Sequence, residues 1–468
     1  MYIMNLPANV ETIINTLNAA GFEAYAVGGC VRDALLNRTP LDWDITTSAR
    51  PDDVMKLFRR TVPTGVQHGT VTVLVKKESY EVTTYRIDGK YEDARHPKEV
   101  TFVASLAEDL KRRDFTINAM AYHPDEGLVD LFDGRADLEA GIIRAVGEAK
   151  ERFREDALRM LRAVRFAAQL DFTIEDKTAQ AIRALAPSID KISAERIRVE
   201  LVKLITSDHP EKLLTAYEYG ITKTVLPEFD ACMETAQNTK HHCLDVGRHT
   251  VKAMQGVPKD ALLRVTMLLH DIAKPDKKTT DDTGTDHFKG HAQTGAHKAE
   301  NILRRLKFDN TTIRRATNLI YYHDLRIALI TPAKIRKAVY LVGEEDFPLL
   351  FDVKRADTLA QSEYMREEKL AHIAEAEKVY HDILNAGDCL SLKQLAVTGN
   401  DLRQHGIPAG RQMGDILYLM LMDVLEEPER NHKSYLLSDV NLNRYIEQSK
   451  NSIQRLGKSF DENHTIRL

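Results

Sequence analysis

The segment 25–44 limits the fold of this chain more than any other stretch. It begins with a short apolar run that predicts a β-strand, and the glycines Gly28 and Gly29 follow at once. Because glycine has no Cβ, backbone N–H groups at such a pair can approach a bulky anion closely. Arg32 lies one helical turn further on, and its guanidinium can neutralise phosphate. The segment therefore predicts a strand, a glycine turn and an arginine that together bind a nucleoside triphosphate.

Two carboxylates follow in the same segment. Asp42 and Asp44 flank Trp43, and alternate residues of a strand point to the same face. Neighbouring carboxylates repel each other unless a cation lies between them, and such hard oxygen ligands suit Mg²⁺ bridged to phosphates. An isolated Asp-x-Asp more often ends a solvated strand or turn, but the order glycines, arginine, carboxylates favours a Mg²⁺ site. Glu81, in a later strand-like run, is a candidate third carboxylate.

Length and composition set the broad class. A chain of 468 residues is too long for one core and should form roughly three or four domains. No apolar run approaches the ~18 residues of a membrane span, and the N-terminus lacks the pattern of a signal peptide. Four cysteines without Cys-x-x-Cys spacing favour a reducing cytoplasm. The net charge of −5 gives no global attraction to nucleic acid, so RNA binding would depend on local basic surface.

Strand-like and helical patterns divide the chain. Strands are predicted at 25–27, 70–75, 80–85 and 99–103, whereas helical periodicity dominates from about 142 onward. The polar stretch 274–290 has the composition of a loop. The predicted domains are a head at 1–140, a neck at 141–230, a metal-binding helical body at 231–375 and a helical tail at 376–468.

Two further segments extend the chemistry of the head. In RRDFTINA, Arg113 can hold phosphate, while Asp114 and Asn118 can hydrogen-bond a ribose hydroxyl, although a charged helix start would look similar. The stretch 154–170 has helical spacing, with a charged face opposite an apolar stripe. An amphipathic helix with surface salt bridges is the plain interpretation of that stretch.

The same stretch can also select a base. Asp156 can accept a hydrogen bond from the exocyclic amine of cytosine or adenine, and Arg159 can donate to the neighbouring ring atom. Uracil and guanine present a carbonyl where the amine should be, so two acceptors would face each other. Each such contact discriminates by roughly 1–3 kcal/mol. This pair would accept CTP and ATP without a nucleic-acid template.

In this order and spacing, the glycine pair, Arg32, the two aspartates, RRDFTINA and EDALR resemble the class II CCA-adding tRNA nucleotidyltransferases, close relatives of bacterial poly(A) polymerases. The resemblance covers residues from about 10 to about 230. It implies an α+β fold, in which a pol β-like head with a small mixed sheet precedes an all-α neck, body and tail. It makes Asp42 and Asp44 the catalytic Mg²⁺ ligands. The nucleotide-binding residues so implied are Gly28, Gly29, Arg32, Arg113, Asp114, Asn118, Glu155, Asp156, Arg159, Arg162 and Arg165.

The resemblance implies attack by the tRNA 3′-hydroxyl on the α-phosphate of CTP or ATP, with recognition of the acceptor and T arms. The polar stretch 86–98 resembles a loop that CCA-adding and A-adding members carry and CC-adding members lack. We expect full CCA addition, with an A-adding enzyme or a poly(A) polymerase as alternatives. The segment 407–410 resembles a turn into the tRNA-binding tail, although it also fits an ordinary helix start. The sequence does not indicate an oligomeric state.

Histidines and aspartates in the helical body form a second set. It resembles the HD phosphohydrolase domain, whose metal ligands correspond to His249, His270, Asp271 and Asp357. His291 and His323 match additional positions used for substrate or a second metal, and Lys274 could hold a phosphate. Imidazole and carboxylate ligands suit a divalent transition metal such as Ni²⁺, Mn²⁺ or Co²⁺. Phosphatase or phosphodiesterase activity is one expectation. The alternatives are a body that only grips tRNA, a protein that is mainly an HD-type nucleotide phosphohydrolase, and a non-catalytic RNA-binding module.

Overall fold

The structure, a computed structural model, describes residues 4–88, 100–102 and 105–451. By its internal contacts the chain divides after Pro227 into two compact units. This division lies close to the predicted boundary at 230, while the boundaries at 140 and 375 stay predictions. Within the described ranges, no helix is both long and apolar enough to cross a membrane. Of the predicted loop 86–98, the first three residues form a strand and the others lie outside the described residues.

A seven-stranded mixed sheet forms the centre of the first unit. The strands of this unit are β1 Ala24–Val27, β2 Asp44–Thr47, β3 Thr61–Gly65, β4 Thr70–Val75, β5 Glu78–Thr84, β6 Arg86–Asp88, β7 Val100–Phe102, β8 Met120–His123, β9 Gly127–Asp130, β10 Ile142–Ile143 and β11 Thr173–Ile174. The order across the large sheet is β3-β4-β5-β2-β1-β8-β9, and β6 pairs with β7 apart from it. The strands predicted at 25–27, 70–75 and 80–85 are confirmed, and β7 lies within the predicted 99–103.

Strand pairing positions the acidic residues of the sheet. β2 runs antiparallel to β1 but parallel to β5, in a register that sets Asp44 directly beside Glu81. The strand begins at Asp44, so the expectation that Asp42 lies on the same strand is wrong, since Asp42 belongs to the irregular segment before it. Residues 45–47 of β2 are buried, whereas Asp44 at the strand end is exposed. Asp44 and Glu81 therefore lie side by side where β2 begins, next to the buried part of that strand.

Helices surround the sheet and continue beyond it to the end of the unit. They are α1 Ala8–Ala19, α2 Gly29–Leu35, α3 Pro51–Leu57, α4 Leu106–Lys111, α5 Gly134–Ala140, α6 Ala149–Glu155, α7 Leu158–Leu170, α8 Asp176–Leu185, α9 Ala194–Ile205, α10 Leu213–Glu218 and α11 Thr222–Val225. α7 packs against α9, and α6 packs against α8. The continuous helix expected over 154–170 is wrong, because the chain is extended at Asp156 and a new helix begins at Leu158.

The second unit is almost entirely helical. Its elements are α12 Pro227–Met233 (which spans the division), α13 Val246–Gln255, α14 Ala261–Leu269, α15 Lys274–Lys277, β12 Thr279–Thr280, β13 Asp286–His287, α16 His291–Arg305, α17 Asn310–Tyr322, α18 Pro332–Val342, α19 Leu349–Ala360, α20 Arg366–Ala386, α21 Gly399–Gln404, α22 Arg411–Glu426, α23 Lys433–Leu436 and α24 Asp439–Ser449. The loop expected over 274–290 is wrong in part, since that stretch contains α15 and the β12–β13 hairpin. The helix expected after the turn at 407–410 is confirmed as α22.

Capping and packing explain the helices that carry the histidines. Asp245, Asp260 and Asp309 each accept a backbone N–H near the start of α13, α14 and α17, which satisfies a donor that the helix itself leaves free. α13 packs against α14 and α19, while α17 packs against α14 and α16. Five helices from separate parts of the sequence thus meet. The expected α+β architecture, a small mixed sheet followed by helices, is confirmed.

Candidate functional site

The glycine turn of the head packs against Arg113. Gly28 has a φ of 84°, a conformation that side-chain-bearing residues rarely adopt. A Cβ at this position would lie 2.9 Å from Nη1 of Arg113. The backbone N–H of Gly28 donates to the carbonyl of Met120 on β8, and α2 begins at the next residue, Gly29. The turn therefore brings Arg113 against the start of α2, as a phosphate-binding pair would require.

Three carboxylates gather beside this turn. Partial desolvation raises the pKa of Asp44; Arg113 lowers it, while the negative charges of Glu81 and Asp42 raise it. A carboxyl group with a raised pKa is one whose negative charge lacks full compensation. The cluster of Asp42, Asp44 and Glu81 thus offers uncompensated hard oxygen ligands, which fit a divalent cation such as Mg²⁺.

A chain of hydrogen bonds leads from Arg32 to the neck. Nη1 of Arg32 donates to Oδ1 of Asn118 at 2.7 Å, while Nε and Nη2 donate to Asp33. Nδ2 of Asn118 donates to Oδ1 of Asp114 at 3.2 Å, and Asp114 accepts from Nε of Arg162 at 2.8 Å. Burial by itself would raise the pKa of Asp114, but Arg162 and Arg159 lower it well below its usual value. Asp114 and Asn118 therefore link the two arginines in this state.

The residues expected to select the base lie at the break between α6 and α7. Nη1 of Arg159 donates to Glu155 at 2.7 Å, and the same guanidinium donates to the carbonyls of Arg112 and Arg152. Asp156 accepts from the backbone N–H of Leu158 and pairs with Arg196. Asp156 and Arg159 therefore have different partners in the structure, and their role in base selection stays a prediction.

Three residues of this region were not predicted from the sequence. Nη2 of Arg196 lies 2.7 Å from Oδ2 of Asp156, and Nε of Arg165 donates to Glu200 at 2.8 Å. Glu200 also lies 3.5 Å from Arg162. The ring of Phe166 is 3.6 Å from the guanidinium carbon of Arg165, within the range of a cation–π contact. Arg196 and Glu200 are spaced i,i+4 in the sequence, which resembles an ordinary charged helix face.

In the second unit, four buried or half-buried residues form one polar cluster. Nε2 of His249 lies 2.9 Å from Asp357 and 3.5 Å from Asp271. Nε2 of His270 lies 3.2 Å from Asp271 and 3.8 Å from Asp357. Both histidines and Asp271 are almost fully buried, and ligand atoms of His249, His270 and Asp271 lie within 4.8 Å of one another. The structure thus brings together the four residues expected to bind a metal.

Backbone contacts orient the imidazole of His270. Its Nδ1 lies 2.7 Å from the carbonyl of Met267, so this nitrogen carries the proton and Nε2 faces the carboxylates. Burial would lower the pKa of His270, but the charges of Asp271 and Asp357 and hydrogen bonds to them raise it to about 10. A second proton at Nε2, and with it a positive charge, is therefore favoured at this position. A metal ion would provide such a charge.

Asp271 also belongs to a second group of potential metal ligands, together with His291 and His323. Nε2 of His291 lies 3.3 Å from Oδ1 of Asp271 and 3.1 Å from Nε2 of His323. Nδ1 of each histidine lies within 2.8 Å of a backbone carbonyl, which fixes it as a donor. In the neutral forms the two Nε2 lone pairs then face each other and repel. Burial, followed by the charges of His291 and His270, lowers the pKa of His323 to about 4, so a proton is not favoured on it. A cation between the two nitrogens would remove the repulsion.

A cavity of about 1460 Å³ opens beside both groups. Nζ of Lys274 lies 2.7 Å from Oδ2 of Asp271 and donates to Gln237, so this lysine is already paired. Lys354 and Lys369 line the cavity as well, and Phe347 belongs to its apolar wall. Potential metal ligands, positive charge and an apolar wall in one cavity suit a phosphate ester with an apolar group.

Family models match most of the chain. The Poly A polymerase head domain matches residues 24–144, and the probable RNA and SrmB-binding site of polymerase A matches residues 171–233. The HD domain model matches residues 232–362, which include the whole histidine–aspartate cluster.

Individual proteins extend this likeness over the full length. The chain is 39% identical to a CCA-adding enzyme of Levilactobacillus brevis over 443 residues, which are 94% of this chain and 100% of that protein. It is 36% identical to one of Lactobacillus johnsonii, over 95% of this chain and 100% of that protein. A crystal structure of the Bacillus stearothermophilus CCA-adding enzyme in complex with CTP has a TM-score of 0.70 at 29% identity, over 96% of this chain and 98% of that one. With full-length relatives at this identity, the chain belongs to the CCA-adding enzymes, a family of nucleotidyltransferases.

Proposed function

We propose that this protein adds C, C and A to the 3′ end of tRNA, from CTP and ATP, without a nucleic-acid template. Membership of the CCA-adding family carries this proposal, and the three carboxylates beside the glycine turn support it. Solved relatives include a CCA-adding enzyme in complex with CTP and, at lower identity, one of Thermotoga maritima complexed with tRNA. An A-adding enzyme and a poly(A) polymerase remain the alternatives to test.

A divalent metal fits the carboxylate cluster of the head, and we assign it as Mg²⁺. Asp42 and Asp44 would hold it, with Glu81 beside them. The ion would supply positive charge to the oxygens of the attacking hydroxyl and of the departing pyrophosphate. The protein requires no nucleophile of its own, because the tRNA 3′-hydroxyl attacks the α-phosphate. Positioning and charge then account for catalysis.

Arginines and the glycine turn bind the triphosphate in this proposal. Gly28 and Gly29 let the backbone approach it, and Arg113, which packs against Gly28, neutralises it. Arg32 has Asp33 and Asn118 as partners in the structure and retains further N–H groups for phosphate. These contacts are common to CTP and ATP, so they contribute affinity without selecting a base.

In this proposal, the residues at the break between α6 and α7 select the base of the incoming nucleotide. Asp156 accepts from the amine of cytosine or adenine, and Arg159 donates to the adjacent ring atom, while Glu155 holds Arg159. Arg162 and Arg165 complete this face, since Glu200 fixes both. For Arg159 to reach a base, it must exchange at least one of its backbone carbonyl partners. We assign tRNA recognition to shape and backbone contacts with the acceptor and T arms, including the helical tail.

Primer extension tests this proposal. Transcripts that end at the discriminator base, at C and at CC are incubated with CTP and ATP, and their 3′ ends are sequenced. A full CCA-adding enzyme completes all three, whereas an A-adding enzyme extends only the third and a poly(A) polymerase adds long A tracts. The variant with Asp42→Ala and Asp44→Ala should bind tRNA but add nothing. If the wild type extended none of the transcripts, the proposal would be rejected.

We further propose that the HD unit is a metal-dependent phosphohydrolase with two cation positions. His249, His270, Asp271 and Asp357 would hold one divalent transition metal, and Asp271, His291 and His323 a second. The observation that favours this is the 3.1 Å approach of the Nε2 atoms of His291 and His323, whose Nδ1 atoms are both donors. The ions would polarise a phosphate ester and its attacking water.

Phosphate release is the test for this second activity. The protein is incubated with 2′,3′-cyclic and 2′-phosphorylated nucleotides in the presence of Ni²⁺, Mn²⁺ or Co²⁺. Hydrolysis should persist in the Asp42→Ala, Asp44→Ala variant and disappear in His270→Ala. A protein that binds no metal by elemental analysis and releases no phosphate would have an HD unit that only contributes to RNA binding.

A further inference from the structure

His242 lies in the wall of the HD cavity but belongs to neither group of potential metal ligands. Its ring stands edge-on against the ring of His249, with centroids 4.9 Å apart. Its Nδ1 is buried and has no hydrogen-bond partner among the described residues. A buried polar atom left without a partner destabilises the fold. The ring of His242 also lines the cavity, so a ligand bound there can contact this imidazole.

The backbone around His242 is fixed relative to the metal cluster. The N–H of His242 bonds to the carbonyl of Thr239, which closes a tight turn. Ser362, just after α19, donates its backbone N–H to the carbonyl of His241 and its hydroxyl to the carbonyl of Lys240. α19 carries Asp357, so the turn is bonded to the segment that follows the helix of a proposed metal ligand. These contacts hold the imidazole beside the cluster without using its Nδ1.

We propose that His242 contacts the substrate of the HD centre, where an imidazole N–H donates a hydrogen bond to an oxygen of the bound phosphate. An imidazole carries at least one N–H in either protonation state, so the contact needs no particular charge on the ring. Lys274, Lys354 and Lys369 line the same cavity and favour an anion there. This inference rests on the proposed phosphohydrolase function and adds a residue that its metal ligands do not include.

His242→Asn tests the proposal in the full-length protein loaded with Co²⁺. Metal content is measured by elemental analysis, the Kd of inorganic phosphate by calorimetry, and hydrolysis with bis(p-nitrophenyl) phosphate. We expect unchanged metal content and a phosphate Kd weakened about tenfold or more, the size of one hydrogen bond to a charged group. His287→Asn is the control, because His287 lines the same cavity on β13 but pairs with Asp281. It should behave like the wild type.

The possible outcomes distinguish a failure of the His242 proposal from a failure of the phosphohydrolase proposal on which it rests. If His242→Asn binds phosphate as tightly as the wild type, His242 is not a substrate contact. If the variant loses the metal, His242 supports the metal site and the proposal is again wrong. If the wild type itself binds neither Co²⁺ nor phosphate, the phosphohydrolase function fails and His242 loses its role with it. CCA addition by the same preparation reports its folding, and His242→Gln replaces His242→Asn if that variant is unstable.

Discussion

Asp114 and Arg162 form an ion pair across the junction of head and neck, with Nη2 of Arg162 2.6 Å from Oδ2 of Asp114. Asp114 precedes β8, while Arg162 lies on α7, so this pair joins the sheet to the helix proposed to face the base. Through Asn118 the same carboxylate also reaches Arg32. Arg32, proposed to bind the triphosphate, and Arg162, proposed to face the base, are therefore linked through Asp114, directly for Arg162 and through Asn118 for Arg32.

Asp114→Asn should weaken the binding of CTP and ATP together. The amide removes the charge that holds Arg162, which keeps the more distant carboxylate of Glu200 at 3.5 Å. We expect a rise in KM for both nucleotides and a loss of about 1–3 kcal/mol in the free energy of unfolding. Steady-state kinetics with each nucleotide and urea denaturation measure the two effects. A change in KM for only one nucleotide would mean that Asp114 contacts the base instead.

The ion pair between Asp114 and Arg162 makes the free energy of unfolding depend on pH. The folded-state pKa of Asp114 lies below the ordinary value of 3.8, so its ion pair stabilises the protein fully above that value. The contribution declines as the pH falls below 3.8 toward the folded-state pKa. The difference in urea midpoint between the wild type and Asp114→Asn should therefore be constant from pH 7 to pH 5 and narrow below about pH 4. A constant difference down to pH 3 would contradict this assignment.

Local patterns account for what was predicted correctly in the head. β1, the glycine turn and α2 follow one another within a dozen residues, so the sequence contains all the information that sets their order. β4 was predicted at its observed bounds from its β-type residues, and its first four side chains alternate between half-buried and buried. The histidines of the HD unit could be assigned only by resemblance, since five helices distant in sequence bring them together.

The predictions that were wrong concern segments whose local structure depends on residues distant in the sequence. Both faces of α7 are largely buried, including Arg159 and Arg165. The alternation of charged and apolar residues in the sequence therefore could not show that this helix begins at Leu158. Asp156 ends one helix because its carboxylate accepts from Leu158 and Arg196, a residue 40 positions later. The stretch 274–290 looks like a loop by composition, but part of it forms the β12–β13 hairpin. Asp286 of this hairpin accepts the backbone N–H of Asn238. These partners are too distant in the sequence to be recognised from a local pattern of residues.

Glu200→Gln tests one of the three residues that the sequence did not indicate. Glu200 is buried and accepts from Arg165, with Arg162 also in range, so the neutral amide should let both guanidinium groups move. We expect a KM increase of about tenfold for CTP and ATP, with a smaller change in tRNA affinity. Glu195→Gln, an exposed position on the same helix, is the matched control. Equal effects of the two substitutions would remove Glu200 from the nucleotide site.

Metal stoichiometry tests how Asp271 is used. Its two oxygens face different histidine groups, Oδ2 toward His270 and Oδ1 toward His291, so a single carboxylate can serve two cations. In the Asp42→Ala, Asp44→Ala background, which removes the site in the head, the protein should bind two Co²⁺ ions per chain. His323→Ala should bind one, because only the second group loses a ligand, whereas Asp271→Asn should bind none with comparable affinity. Elemental analysis after dialysis measures the ratio. One ion per chain both in this background and in its His323→Ala derivative would assign His291 and His323 to substrate binding. Their facing nitrogens would then require a phosphate-bound proton or a water between them.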